Sequence, residues 1–141
     1  MDRKTKMTQE EKDLVLKDIG ARLYYGVKIS VPIVEKNMIF TVVGISESWV
    51  IVKNDRGNIF NVNTALEFKP YYRPISSMTE EEQKEFIKFH CINICPIVIT
   101  EKLTISNEAE MFDWLNKKMF DYRRLIPRGL ANEAPEEMYN V

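Results

Sequence analysis

The chain has 141 residues, of which 45% are hydrophobic and 29% charged, and its formal net charge is −1. This length and composition predict one folded domain and exclude a disordered or fibrous chain. The sequence lacks a strong basic excess, a signal sequence and an apolar run of about 20 residues, so we expect a cytoplasmic protein without a membrane partner.

The first predicted element is a helix over about residues 9–23. Thr8 and Glu11 have the spacing of a capping box, in which each side chain accepts a backbone N–H at the helix start. Apolar residues then recur at helical spacing up to Leu23. Residues 1–7 are expected to form a flexible extension.

The next section is typical of β structure. Runs rich in branched and aromatic residues predict five strands, at residues 27–31, 38–45, 49–53, 58–63 and 66–69. Residues 54–57, Asn-Asp-Arg-Gly, predict the turn of a hairpin between the third and fourth strands. Together these features predict a five-stranded antiparallel meander or a small SH3-like barrel.

Two of the predicted strands have apolar residues at neighbouring positions, over residues 39–43 (with Thr41 as the exception) and 50–52. A strand with one solvated face alternates apolar and polar residues, whereas consecutive apolar residues are typical of strands covered on both faces. We therefore expect both faces of the sheet to be covered, one of them by the first helix.

The third section is predicted to be mainly helical. Thr79 and Glu82 repeat the capping-box spacing at the start of a helix. Residues 92–100 and 103–105 favour two short strands, and a second helix is expected to begin at Asn107.

In the predicted C-terminal helix, Trp114 is expected to anchor the helix on the barrel. Asp121 is expected to cap one further turn, and residues 132–141 are polar enough to predict a loose tail. The sequence thus predicts one α+β domain over residues 8–131. Its parts are a helix (8–26), a barrel-like β section (27–73) and a mainly helical section (74–131).

The sequence shows no recognisable catalytic or cofactor-binding motif. His90, Cys91 and Cys95 are too few ligands for a structural zinc ion, which needs about four. A nucleophile elbow, a P-loop and a dinucleotide fingerprint are all missing. We therefore expect no metal, no cofactor and no enzymatic activity.

Tyr122, Arg123 and Arg124 are candidates for binding a partner. They follow Asp121 at a predicted helix start, where adjacent arginines can grip a phosphate or a carboxylate. The alternative is that one arginine forms a surface ion pair with Asp113 or Asp121.

A second candidate set combines basic and aromatic residues of the β section: Lys28, Lys53, Arg56, Lys69, Tyr71 and Tyr72. Surface aromatics interleaved with cations are typical of small barrels that bind nucleic acid. Aromatic residues in strands more often pack against neighbours. Weak nucleic-acid binding is therefore kept as the alternative function.

Three blocks of sequence carry a resemblance to a known group. They comprise residues 7–12 with 21–28, residues 69–81, and residues 113–116 with 120–123 and 129–131. The blocks resemble short proteins encoded by gut anaerobic bacteria and by their phages and mobile elements. The group often has a histidine pair where this chain has Lys118 and Met119, so no role of those histidines is implied here.

That group has no established activity, so the resemblance implies a lineage rather than a mechanism. With no motif for catalysis, we expect a non-enzymatic module that binds a protein partner in phage or mobile-element biology.

Overall fold

The structure is a computed structural model that describes residues 7–32, 38–94 and 101–139. The helices are α1 (Gln9–Ala21), α2 (Glu80–Ile94) and α3 (Glu101–Lys117). The strands are β1 (Lys28–Ser30), β2 (Ile39–Ile45), β3 (Trp49–Lys53), β4 (Ile59–Asn63), β5 (Lys69–Tyr72) and β6 (Asn132–Glu133). The predicted α+β class is confirmed. None of the described helices is long and apolar enough to span a bilayer.

Helix α1 begins with the predicted capping box. The Thr8 hydroxyl accepts the Glu11 N–H at 3.1 Å, and the Glu11 carboxylate accepts the Thr8 N–H at 3.0 Å. After the helix, a 3-10 turn over Leu23–Tyr25 ends at Gly26, which has φ +79°. Glycine adopts this left-handed conformation without a steric penalty, so the chain can turn there into β1.

The six strands form one open, mixed sheet in the order β4-β3-β2-β1-β5-β6. Strands β2, β3 and β4 are consecutive antiparallel neighbours, and the turn predicted at residues 54–57 is confirmed by the bond from Gly57 N–H to the Asn54 carbonyl (3.1 Å). The predicted meander and closed barrel are not formed, because β5 returns to pair with β1 and β6 adds to β5 in parallel.

The fifth strand lies later in the chain than predicted, at Lys69–Tyr72 instead of residues 66–69, and it includes Pro70. Proline lacks the N–H that a strand with two neighbours needs. Here β6 pairs only with Tyr71 and Tyr72, so β5 has a single paired neighbour at Pro70. The proline therefore remains compatible with the sheet.

The hydrophobic core lies between α1 and one face of the sheet, which we call the inner face. From α1, Val15 and Ile19 are fully buried. The sheet and the loops beside it contribute Ile29, Phe40, Val42, Val50, Val52, Val62, Phe68 and Tyr72 to the same cluster. In β2 and β3 the buried valines alternate with more exposed residues, so the inner face is the more deeply buried face of these strands.

The two short strands predicted in the third section are wrong where the structure describes them. Residues 92–94 belong to α2 and residues 103–105 to α3, and residues 95–100 lie outside the described part of the chain. Helix α3 also begins before Asn107, so that residue is not an N-cap. Strand preference of branched residues depends on context, and here the two helices pack on each other through the Trp114 ring.

Helix α2 starts with the predicted capping box, since the Thr79 hydroxyl accepts the Glu82 N–H at 3.1 Å and Glu82 accepts the Thr79 N–H at 3.0 Å. Helix α3 ends before Met119, whose φ of +63° reverses the chain. The Phe120 N–H then donates back to the Leu115 carbonyl at 3.0 Å, which satisfies a carbonyl of the last turn.

The C-terminal segment, predicted as a loose tail, is packed on the sheet up to Tyr139. Residues 132–133 form β6, and the Tyr139 hydroxyl bridges two strands: it accepts the Lys28 N–H at 2.8 Å and donates to the Tyr71 carbonyl at 2.9 Å. Burial raises the pKa of Tyr139 well above its ordinary value. The hydroxyl therefore stays protonated and continues the β1–β5 ladder with a side chain.

Arg73 joins the sheet to the helical section. Its guanidinium donates two hydrogen bonds to the Glu82 carboxylate, at 2.9 and 2.8 Å, and lies 4.3 Å from the centre of the Phe120 ring. Its backbone N–H donates to the Met119 carbonyl at 2.8 Å. The hydrogen bonds from Arg73 are the main cause that lowers the pKa of Glu82 from 4.5 to about 2.

This pair should make stability depend on pH in the acid range. Because the folded state lowers the pKa of Glu82, the stabilisation is fully present above about pH 5 and is lost as the pH falls towards about 2. Glu82→Gln should lower the free energy of unfolding at pH 7 by about 1–2 kcal/mol and flatten its decrease below pH 5. Urea unfolding across this pH range measures both effects. The exposed neighbour Glu81→Gln is the control, and an unchanged acid slope in Glu82→Gln would contradict the assignment.

Candidate interaction surface

The sheet face opposite α1, which we call the outer face, carries exposed apolar residues on three adjacent strands. Ile59 is 63% exposed, Val43 43%, Trp49 42% and Ile39 38%. The expectation that both faces of the sheet would be covered is therefore wrong. In monomeric proteins a contiguous exposed apolar patch often marks an interaction site, so this face is the leading candidate surface.

A β-bulge places Val43 on this face. Val42 pairs with Val52 and Gly44 pairs with Ile51, so β2 has one residue more than β3 at this point. Two bulged residues opposite one partner point to the same side. Gly44 has no side chain there, and the Ile51 side chain fills the space, with its Cδ1 3.2 Å from the position of a β-carbon at Gly44. The bulge thus brings Val43 beside Ile51 on the outer face.

Charged residues share the outer face with these apolar residues, and Lys53 pairs directly with Ile59. Lys28 pairs with Thr41 and Thr41 pairs with Lys53, so the two lysines lie in one row across the outer face. A groove of about 410 Å³ next to this row is lined by Lys28, Thr41, Asp55 and Glu137, among others. The groove therefore combines a cation and two carboxylates with neighbouring apolar side chains, a mixture common in protein interfaces.

The structure separates the residues predicted to grip a partner. The Arg123 Nε donates to the Asp18 carboxylate at 2.8 Å, and the Tyr122 hydroxyl donates to the Asn116 side chain at 2.7 Å. Arg124 is exposed and has φ +59°. One arginine, Arg123, does form an ion pair, but its acid is Asp18 and not the predicted Asp113 or Asp121. A partner contact by Arg124 stays a prediction.

Asp121 has the predicted capping role. Its two carboxylate oxygens accept the backbone N–H groups of Leu125 and Ile126, at 2.8 and 2.9 Å. The residues that follow form turns and not a helix. Asp121 therefore fixes the backbone that positions Arg123 against α1.

The nucleic-acid set is also divided. Tyr72 is fully buried on the inner face, so its ring offers no surface for a base. Lys53 and Arg56 are exposed, whereas Lys69 and Tyr71 are half-buried. The two exposed cations of the set, Lys53 and Arg56, therefore have no exposed aromatic residue of the set beside them.

A buried ionic cluster that sequence reasoning missed connects α1 to the C-terminal part of the domain. Asp18 and Arg22 are both fully buried, and the Arg22 Nε lies 3.2 Å from the Asp18 Oδ2. The other carboxylate oxygen of Asp18 accepts from Arg123. The Arg22 guanidinium lies 4.0 Å from the centre of the Tyr72 ring and 5.0 Å from that of Tyr122. Burial raises the pKa of Tyr72 well above its ordinary value, so that ring stays neutral.

Asp18 and Arg22 at the centre of the cluster are closed to solvent, so we assign the cluster to stability and not to binding. The i, i+4 spacing of Asp18 and Arg22 resembles an ordinary surface pair in the sequence. In α1, Asp18 lies at helical spacing from Val15 and beside Ile19, on the buried side of the helix. This spacing is the signal in the sequence that could have indicated a buried charge.

The described residues contain no group of three histidine, cysteine or carboxylate side chains that could hold a metal ion. The side chains of His90, Cys91 and Cys95 lie outside the described ones.

Comparisons with protein-family models, with curated proteins and with solved structures gave no significant match to the chain. The resemblance to the phage and mobile-element group therefore stays a prediction.

Proposed function

We propose that this chain is a non-enzymatic protein-binding module and that the outer face of its sheet is the contact surface. The observation that carries the proposal is the exposure of Val43, Trp49 and Ile59 on this face. A bulge and a glycine shape this face, and the opposite face of the same strands forms a complete core with α1. The exposed residues are therefore additional to those that the core requires.

The composition of the surface supports a protein partner. Interfaces are enriched in tryptophan and depleted of charge at their centre, with polar residues at the rim. Here Trp49, Val43 and Ile51 form an apolar centre, and Lys28 and Lys53 lie in the adjoining row. Nucleic-acid binding would require cations at the centre of the contact surface.

Replacing the centre of the patch should weaken partner binding strongly and leave the fold intact. In the double variant Val43→Thr with Trp49→Thr, threonine keeps strand preference but removes the apolar surface. We expect more than tenfold weaker binding of the partner, since an interface tryptophan is commonly a dominant contact. The melting temperature should stay close to that of the wild type.

The measurement is capture by the tagged chain from cells of its source, with and without nuclease, read by mass spectrometry. The control is Tyr24→Ser, which removes an aromatic residue that is 91% exposed but lies outside the sheet. A partner retained by Tyr24→Ser and lost by the double variant supports the proposal. Equal capture by both variants, or capture of nucleic acid alone, would contradict it.

A further inference from the structure

Strand β4 leaves one edge of the sheet open. It pairs with β3 along its whole length, from the pair of Ile59 with Lys53 to the pair of Asn63 with Trp49. No described strand pairs with its other side. The opposite edge of the sheet is β6, which is only two residues long. Strand β4 is therefore the long edge at which a further strand can add.

The hairpin determines which backbone groups face outward. The Asn54 N–H donates to the Asn58 carbonyl, and the Thr64 N–H donates to the Ser48 carbonyl, so both of these pairs are hydrogen-bonded. Hydrogen-bonded and non-hydrogen-bonded pairs alternate along an antiparallel ladder. The backbone N–H and C=O groups of Phe60 and Val62 therefore bond to β3. The N–H and C=O groups of Ile59 and Asn61 then point away from the sheet.

The strand lacks the features by which natural edge strands avoid pairing. Its sequence, Ile-Phe-Asn-Val-Asn, contains no charge and no proline, and its ladder with β3 has no bulge. Ile59 is 63% exposed and Phe60 46% exposed. A groove of about 400 Å³ beside Phe60 is lined by the apolar residues Met38, Phe40, Val62 and Leu66 together with Asn54 and Asn61.

We propose that two copies of the chain associate by antiparallel pairing of β4 with β4, about a two-fold axis at Phe60. In this register Ile59 of each copy faces Asn61 of the other, and the two pairs exchange four hydrogen bonds made by the outward groups. Phe60 faces Phe60 of the second copy at a non-hydrogen-bonded position, where side chains are closest.

A second copy fits this edge for two reasons. The strand is uncharged, so two copies do not repel each other, and the register is self-complementary as a two-fold axis requires. The half-exposed Phe60 ring, already 6.2 Å from the Phe40 ring in an edge-on arrangement, gains an aromatic partner at the mouth of the groove. Because the contact is small, we expect a dimer of micromolar affinity.

The experiment is light scattering after size exclusion over a range of concentrations, with Asn61→Pro and Asn61→Ser as matched variants. Proline removes the outward N–H, which bonds to nothing in β3, so the fold is expected to remain. The wild type and Asn61→Ser should reach twice the monomer mass, whereas the dissociation constant of Asn61→Pro should rise at least tenfold. A wild type that stays monomeric at several hundred micromolar, or a dimer unaffected by the proline, overturns the proposal.

A cross-link tests the register without relying on the proline variant. Cysteines facing each other at a non-hydrogen-bonded pair have Cα atoms about 4.5 Å apart, within the range for a disulfide. With Cys91 and Cys95 replaced by serine, Phe60→Cys should therefore form a disulfide-linked dimer on mild oxidation, and Lys53→Cys should not. Equal cross-linking of the two variants overturns the register. Val43→Thr with Trp49→Thr should still dimerise, so this proposal and outer-face binding can fail separately.

Discussion

Asp18→Ala should lower the free energy of unfolding by about 3–5 kcal/mol, the usual cost of removing one partner of a buried ion pair. Asp18 is the carboxylate that faces both Arg22 and Arg123, at 3.2 and 2.8 Å. Arg22 is fully buried, and among the described residues no acceptor meets its Nη1 and Nη2 atoms. Without Asp18, the described residues would offer its charge the faces of the Tyr72 and Tyr122 rings and no carboxylate.

The effect is measured by chemical unfolding of Asp18→Ala beside Asp13→Ala. Asp13 is an exposed carboxylate on the same helix, so the control should lose less than about 0.5 kcal/mol. The double variant Asp18→Leu with Arg22→Met removes both buried charges and should recover most of the loss. If Asp18→Ala were as stable as Asp13→Ala, the ionic cluster would contribute nothing and its burial would need another explanation.

The local elements of the fold were predictable because short-range contacts determine them. The capping boxes at Thr8 and Thr79 and the Asn54–Gly57 hydrogen bond of the hairpin turn need only residues three apart, and the structure contains all three. The α+β class follows from these elements. The predictions that failed depend on contacts between distant parts of the chain.

The strand order of the sheet is the first of these long-range features. Strand β5 pairs with β1 about 40 residues earlier in the chain, and its other side pairs with β6, which the sequence shows only as a polar stretch. The polar composition of residues 132–141 predicts a loose tail. Composition does not indicate that the Tyr139 hydroxyl binds the backbones of β1 and β5. Its contact with Lys28 spans 111 residues. No local pattern contains this information.

The candidate surface could be predicted only in part. Consecutive apolar residues in β2 and β3 correctly indicated two apolar faces, but the sequence does not show whether anything covers the second face. For Arg123, the sequence indicated an ion pair with an acid, and the acid proved to be 105 residues away. Residue type thus predicted the kind of interaction, whereas the partner required the fold.

Trp114→Ala is the second substitution expected to have a large effect. The Trp114 ring lies 5.7 Å from the ring of Phe120, 6.0 Å from Phe86 and 6.2 Å from Phe89, and its Nε1 donates to Glu85 at 3.0 Å. The tryptophan therefore holds α2 against α3, whereas the sequence predicted that it anchors α3 on the barrel. Because the ring is half-buried, we expect a loss of about 2–3 kcal/mol, below the ~3–5 kcal/mol of a fully buried aromatic.

The loss of stability in Trp114→Ala should be concentrated in helices α2 and α3. Hydrogen exchange should accelerate in α2 and α3 more than in β2 and β3, because the core between α1 and the sheet contains no atom of Trp114. Trp114→Phe keeps an aromatic ring but loses the bond to Glu85, so its loss should be smaller. Phe112→Ala removes a ring that is 43% exposed and should cost about 1 kcal/mol or less. Uniform acceleration across the sheet in Trp114→Ala would mean that the α2–α3 pair and the sheet unfold as one unit, and that this tryptophan supports both.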